Sequence, residues 1–168
     1  LGGDRATLRA MTVEAGVDVV TFGGTKNGMM YGEAVVVLDD RFATAAPYLR
    51  KQVTQLPSKM RYVAAQFNAM FRDDLWLTTA THSNAMADRL YVATADIAGV
   101  AYDTAPVVNS VFPRLSRAAA EELRSWCFFW DWDTSVDQVR WMTAWDTTVA
   151  DIDAFALGVR HVMGARGA

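Results

Sequence analysis

The sequence predicts an α/β protein, and two observations support this. Short runs of β-branched and aromatic residues bounded by glycines occur at residues 17–22 and 34–38, which is a strand pattern. From residue 73 to residue 164, strand-like runs alternate with stretches whose apolar residues have helical spacing. This second region is typical of a small α/β domain with a largely antiparallel sheet.

The first elements follow from local signals. Asp4 is placed to cap a helix over residues 5–15, and Gly16 is placed to end it. Residues 17–22 then form a buried strand and residues 34–38 another, and we expect the two to be neighbours in one sheet. The turn between them is rich in glycine, which allows close approach of a ligand to the backbone.

The middle of the chain is predicted to be mostly helical. Residues 41–72 contain Pro47 and Pro57, which break or kink helices, so at least two helices are expected there. A long helix is predicted from residue 75 to about residue 97, and Gly99 closes it.

In the last region, Ser116 is expected to cap a helix that ends near residue 125. Thr148 and Asp151 form a capping-box pattern that opens the final helix. Strand-like runs lie at residues 100–103, 110–115, 127–131 and 139–145.

Composition narrows the class of protein. Hydrophobic residues make up 52% of the 168 residues and charged residues only 21%, which predicts a substantial core or a large buried interface. The net charge of −3 argues against nucleic-acid binding, which usually requires a basic surface. Cys127 is the single cysteine, which fits a reducing compartment. Because no apolar run approaches the ~20 residues that span a bilayer, we expect a soluble, cytoplasmic protein without a membrane partner.

Lys26 is the first candidate for chemistry. A lysine in a glycine-lined turn at the end of a buried strand would be poorly solvated, and desolvation favours the neutral amine that attacks a carbonyl. The alternative is a solvated lysine that keeps the turn soluble. A phosphate-binding loop is less well supported than a Schiff-base lysine, because the lysine precedes the last glycine and a strand follows.

The same stretch carries a family resemblance. The sequence TFGGTKNG at residues 21–28, followed by GEA, resembles the low-specificity threonine aldolases. Further similar segments are LRKQVTQLPSKMRYVAAQ, HSNAMADRL, VFPRL and VRWMTAW. These enzymes use pyridoxal 5′-phosphate (PLP) and have the aspartate-aminotransferase-like fold, fold type I. The resemblance implies that residues 1–72 end the PLP-binding large domain and that residues 73–168 form a small C-terminal α/β domain. It also implies that a preceding N-terminal half is needed for a complete site.

The resemblance assigns roles to several side chains. Lys26 would carry PLP as a Schiff base, and Thr25 would contact the cofactor phosphate, although simple turn chemistry also accounts for Thr25. Arg140, on the strand VRW, would hold the substrate carboxylate, since an arginine fork suits a carboxylate. Its alternative is an arginine on the solvent face of a half-exposed strand.

A basic cluster on the helix after the strand pair is the remaining cofactor-binding candidate. It contains Lys51, Lys59 and Arg61, of which we favour Arg61 as a partner for the phosphate of a neighbouring subunit. A solvated helical face is the alternative. No metal ligand set is expected, and most tryptophans are predicted to lie in the core of the small domain.

The function that the resemblance implies is cleavage of threonine-like β-hydroxy-α-amino acids to glycine and an aldehyde. The family's sites form between subunits, so a homodimer or homotetramer is expected. One alternative is a β-eliminating PLP lyase of the same fold. Another is a non-catalytic partner chain that cannot hold PLP alone.

Overall fold

The structure is a computed structural model that describes residues 4–166, apart from the side chain of Arg166. The chain divides into two compact units, and the boundary falls between Thr79 and Ala80. The helices are α1 (Arg5–Met11), α2 (Asp40–Ala43), α3 (Ala46–Gln52), α4 (Arg61–Phe71), α5 (Leu75–Thr94), α6 (Arg117–Arg124) and α7 (Val149–Arg166). The strands are β1 (Val19–Gly23), β2 (Glu33–Val37), β3 (Ser110–Val111), β4 (Trp130–Asp133) and β5 (Gln138–Met142).

In the first unit, β1 and β2 form an antiparallel pair, whose register runs from Val19 opposite Val37 to Gly23 opposite Glu33. The predicted pairing of these two strands is therefore confirmed. Their predicted burial is wrong, because Val35 is 66% exposed. The reason is that β1 and β2 make a two-stranded sheet in the described part of the chain, so neighbouring strands do not cover it.

The helices of the first unit are shorter than predicted. Asp4 caps α1 as expected, since its carboxylate accepts a 2.7 Å hydrogen bond from the Thr7 amide. Helix α1 nevertheless ends at Met11, and the chain turns until Gly16 at a φ of 78°. Pro47 lies in the first turn of α3 and does not interrupt it, because a helix needs no amide donor there.

In the second unit, the strand order is β3-β5-β4, and both pairings are antiparallel. The predicted antiparallel sheet is confirmed. Ser116 caps α6, and Thr148 with Asp151 forms the capping box that opens α7. The core of this unit combines α5, β3, α6, β5 and α7, and its fully buried side chains include Val111, Leu123, Trp141, Val159 and Val162.

Two predictions for the second unit are wrong. The predicted strand at residues 100–103 is only a single bridge between Ala101 and Arg114. Most of the tryptophans expected in the core are exposed, because two lie on β4, the edge strand of the sheet, and two lie in connections between elements. The exposed ones are Trp126, Trp130, Trp132 and Trp145.

Among the described residues, no helix combines the length and the hydropathy needed to cross a membrane.

Candidate active site

Lys26 lies in a short 3₁₀ turn, Thr25–Asn27, between β1 and β2. Backbone hydrogen bonds close this turn around Gly24. The Gly24 amide donates to the Gly32 carbonyl at 3.0 Å, and the Gly24 carbonyl accepts from Asn27 at 3.0 Å and from Met29 at 3.1 Å. The backbone on both sides of the lysine is therefore fixed.

Gly24 is buried, and its lack of a side chain has a packing reason. A Cβ added there would lie 1.9 Å from Sδ of Met29, which is itself buried. Gly28 ends the turn at a φ of 104°, in the left-handed region that favours glycine. The glycines thus allow Met29 to fill the space beneath the turn that presents Lys26.

Two side-chain contacts fasten the turn to the helices that follow. Asn27 Nδ2 donates to the Trp76 carbonyl at 3.0 Å, and the Met30 amide donates to Gln66 Oε1 at 2.9 Å. The ring of Phe22, at the end of β1, packs 5.3 Å from the Phe71 ring. Sequence reasoning missed the anchoring role of Asn27 and Gln66. The only local signal for it was an amide directly after the lysine.

Lys26 itself is exposed, so the predicted poorly solvated lysine is wrong for this structure. The turn joins the two strands of a two-stranded sheet, and Thr25 and Gly28 beside the lysine are exposed as well. Within the described part of its own unit, the Lys26 amine has no carboxylate partner and no hydrogen bond. An external group can therefore reach the Lys26 side chain without displacing a partner in the described part of its unit.

Thr25, next to the lysine, already has a structural contact. Its Oγ1 accepts a 3.2 Å hydrogen bond from the Gly32 amide across the turn. The hydroxyl proton remains available for a second partner. Thr25 can therefore stabilise the turn and contact a ligand at the same time.

The three basic residues of the candidate cluster were predicted to lie on one helix, and this prediction is wrong. Lys51 lies in the last turn of α3, Lys59 lies in the connection at a φ of 64°, and Arg61 is the first residue of α4. The connection around Pro57 separates them. Arg61 is exposed and lies over the Tyr62 ring at 5.6 Å, without an ion pair in the described part of its unit. Among the described residues, no side chain caps the start of α4.

Arg140 lies in the middle of β5 in the second unit and is half-buried. Its Nε donates to Ser110 Oγ at 3.3 Å. Its guanidinium carbon lies 5.7 Å from the centroid of the Trp132 ring. Trp130 is its direct partner in the register of β4, so the arginine and this indole share one face of the sheet. Arg140 is thus set between polar and aromatic neighbours on a partly exposed face.

Arg140 differs from the other arginines of the second unit whose side chains are described. Each of the others has a carboxylate partner, whereas Arg140 has none among the described residues of this unit. The ion pairs are Arg89–Asp153, Arg114–Asp103, Arg117–Glu121, Arg124–Asp131 and Arg160–Asp96. A half-buried guanidinium without a carboxylate can bind an external anion.

The other candidates have structural roles. His82 Nε2 lies 2.7 Å from the Thr147 carbonyl, as expected for a packing histidine. Burial raises the pKa of the Cys127 thiol, which makes it a poor nucleophile. Asp131 pairs with Arg124, and Asp133 accepts from Ser135. In the described residues, no group of three His, Cys, Asp or Glu side chains is placed to hold a metal ion.

Comparison with known proteins identifies sequence relatives of this chain. The chain is 41% identical over 156 residues to a low-specificity L-threonine aldolase from Pseudomonas aeruginosa, a match that covers 90% of the chain. It is 39% identical over 163 residues to the low-specificity L-threonine aldolase of another Pseudomonas strain, covering 95% of the chain. This chain is related to the low-specificity L-threonine aldolases. The predicted resemblance is confirmed.

The relationship extends to the fold. A threonine aldolase from Leishmania major has a solved structure that matches 90% of the chain with a TM-score of 0.79 and 25% sequence identity. This confirms the predicted fold class, the C-terminal part of a PLP-dependent fold type I protein. The chain spans about half the length of the relatives it matches, 44% and 46% of the two curated threonine aldolases and 45% of the solved one. No family model matches the chain.

Proposed function

We propose that this chain supplies the lysine and the carboxylate-binding arginine of a PLP-dependent aldolase that acts on threonine-like amino acids. One observation carries the proposal. Lys26 presents an amine with no partner in the described part of its unit, from a turn closed by backbone hydrogen bonds, in a chain related to threonine aldolases. A lysine side chain that nothing in the described part of its unit holds can be reached by an aldehyde cofactor, with which a lysine amine forms a Schiff base.

The residues around Lys26 fit PLP by their chemistry. The exposed amine of Lys26 can bond to the cofactor aldehyde, and the Thr25 hydroxyl has a proton left to donate to a phosphate oxygen. When bound, the cofactor would supply the electron sink that makes Cα–Cβ cleavage possible. The protein would contribute attachment, orientation and charge.

Arg61 is our candidate for a second phosphate contact, from a neighbouring subunit. It begins α4, where uncapped backbone amides and the helix dipole already favour an anion. Its guanidinium adds a positive charge at that point and has no ion pair in the described part of its unit. Such a contact requires a homodimer or homotetramer, which we propose as the working assembly.

Arg140 would bind the α-carboxylate of the amino acid. Arg140 has no carboxylate partner among the described residues of its unit, and this supports the role, because the five ion-paired arginines of that unit have their charge satisfied within the chain. A fixed carboxylate orients the substrate and thereby selects which bond at Cα is broken. In this scheme, residues 1–72 act as the end of the cofactor-binding domain and residues 73–168 as the substrate-binding small domain.

Product analysis tests the proposal in the intact protein. With L-threonine and PLP, we expect glycine and an aldehyde in equal amounts, and we expect Lys26→Ala to abolish both. Arg50→Ala, in the last turn of α3, removes another exposed cation of the same unit, serves as the control and should keep activity. Ammonia and a keto acid would instead establish the β-eliminating alternative. No turnover by an intact protein that also lacks PLP would favour the non-catalytic one.

A further inference from the structure

Trp132 occupies an irregular place in the sheet of the second unit. The register between β4 and β5 shifts between Asp131 and Asp133, so Trp132 lies at a bulge and has no direct cross-strand partner. Bulges re-aim side chains. Here the indole lies next to the guanidinium of Arg140, with 5.7 Å from the ring centroid to Cζ.

Strand β3 supports both members of this pair. Phe112, the residue directly after β3, packs against Trp132 with 4.9 Å between ring centroids and 58° between ring planes. Ser110, two residues earlier, accepts the hydrogen bond from Arg140 Nε. Arg140 on β5 is therefore contacted from two neighbouring strands, by Ser110 of β3 and by Trp132 of β4, and Phe112 supports Trp132.

These contacts do not cover the edge of the Arg140 guanidinium that carries its two terminal nitrogens. Ser110 occupies Nε, and the indole lies beside the cation where the ring quadrupole attracts it. The two terminal nitrogens have no acceptor in the described part of the second unit, and they form the fork that binds a carboxylate bidentately. A long side chain that is already held in place loses less entropy when it binds.

We propose that Trp132 is a positioning residue that holds Arg140 ready for the substrate carboxylate. The inference rests on the proposed function of Arg140. Trp132 acts through the arginine and does not touch the reacting atoms. It is 58% exposed, so its replacement removes the contact with Arg140 and little of the core.

Steady-state kinetics of the intact, PLP-loaded protein test this inference. We expect Trp132→Leu to raise KM for threonine between about twofold and about thirtyfold, the range that a cation–π contact gives, with kcat nearly unchanged. Trp132→Phe keeps an aromatic ring and should recover most of the loss. Phe128→Leu is the matched control, because Phe128 is an exposed ring that packs on Trp130, and KM should stay as in the native protein.

A double-mutant cycle separates positioning from general destabilisation. In an Arg140→Ala background, Trp132→Leu should have no further effect on KM, because the residue through which it acts is gone. If Trp132→Leu raises KM equally in both backgrounds, the positioning inference is overturned while the role of Arg140 stands. If Arg140→Ala leaves KM unchanged, the proposed carboxylate role itself fails and the inference fails with it.

A second readout does not depend on turnover. A ring beside the guanidinium shifts the proton resonance of Arg140 Nε–H through its ring current. We expect this shift to disappear in Trp132→Leu and to persist in Phe128→Leu. An unchanged resonance in Trp132→Leu would overturn the inference.

Discussion

Arg140 Nε donates a 3.3 Å hydrogen bond to Ser110 Oγ across the β3–β5 pair. Ser110 is 3% exposed, so the acceptor is fixed by the core while the guanidinium reaches the partly open face of the sheet. The hydrogen bond is the only polar contact of Arg140 in the described part of the second unit. It therefore sets the direction in which the remaining nitrogens point.

Removing this acceptor should loosen the arginine. We expect Ser110→Ala to raise KM for threonine roughly fivefold, since a net hydrogen bond is worth about 1 kcal/mol, and to leave kcat nearly unchanged. Ser125→Ala, in an exposed position after α6, is the control. Steady-state kinetics with both variants provide the test. An unchanged KM in Ser110→Ala would show that the hydrogen bond does not orient Arg140.

Gly24 and Gly164 should respond in opposite directions to the same substitution. Gly24→Ala places a Cβ against the buried Met29 side chain, so we expect a loss of about 1–3 kcal/mol in the free energy of unfolding. At Gly164, in α7, an added Cβ meets no atom of the described residues within 4 Å. Gly164→Ala should therefore gain about 0.5–1 kcal/mol from helix propensity. Denaturant unfolding of both variants measures the difference, and equal effects would contradict this account of the turn.

The caps were predictable from the sequence because each is a local pattern. Thr148 with Asp151 and Ser116 with the following helix need only the spacing along one helical turn, and both are present as predicted. The antiparallel β1–β2 pair also followed from apolar runs around a glycine-rich turn. These features do not depend on distant parts of the chain.

The environment of the site residues was not predictable in the same way. Alternation along β4 and β5 indicates which residues share a face, but it does not say which face is covered. Hence Trp130 and Trp132 were expected in the core and are exposed. The contact of Trp132 with Arg140 depends on a β-bulge that no local sequence pattern predicts. The exposure of Lys26 likewise depends on which strands flank β1 and β2.

The Ser116 cap offers a direct test of the second unit's stability. The Ser116 side chain accepts from the Ala119 amide at 3.3 Å, so Ser116→Ala should lower the free energy of unfolding by about 1 kcal/mol. Ser116→Asp keeps an acceptor at the cap and should retain the native value. Thermal or denaturant unfolding distinguishes the two. A Ser116→Ala variant as stable as the native protein would show that the cap contributes nothing.

Asp151 should contribute to acid sensitivity. Hydrogen bonds from the Thr148 side chain at 2.6 Å and from its amide at 2.8 Å lower the pKa of the Asp151 carboxyl below its ordinary value of 3.8. A depressed folded-state pKa stabilises the protein above pH 3.8, and this stabilisation is lost as the pH falls through the folded-state value.

We therefore expect the native protein to lose more stability between neutral pH and about pH 3 than Asp151→Asn loses. Unfolding free energies of the two proteins at both pH values provide the comparison. Equal losses would mean that the capping carboxylate does not titrate differently in the folded state.

The most direct test of the central claim is to locate the cofactor on the chain. The intact protein is loaded with PLP, reduced with borohydride and digested, and the peptides are analysed by mass. We predict a pyridoxyl adduct on the peptide that contains Lys26, and none on the peptides that contain Lys51 or Lys59. An adduct on either of those lysines, or PLP bound to the intact protein with no adduct on Lys26, would contradict the account.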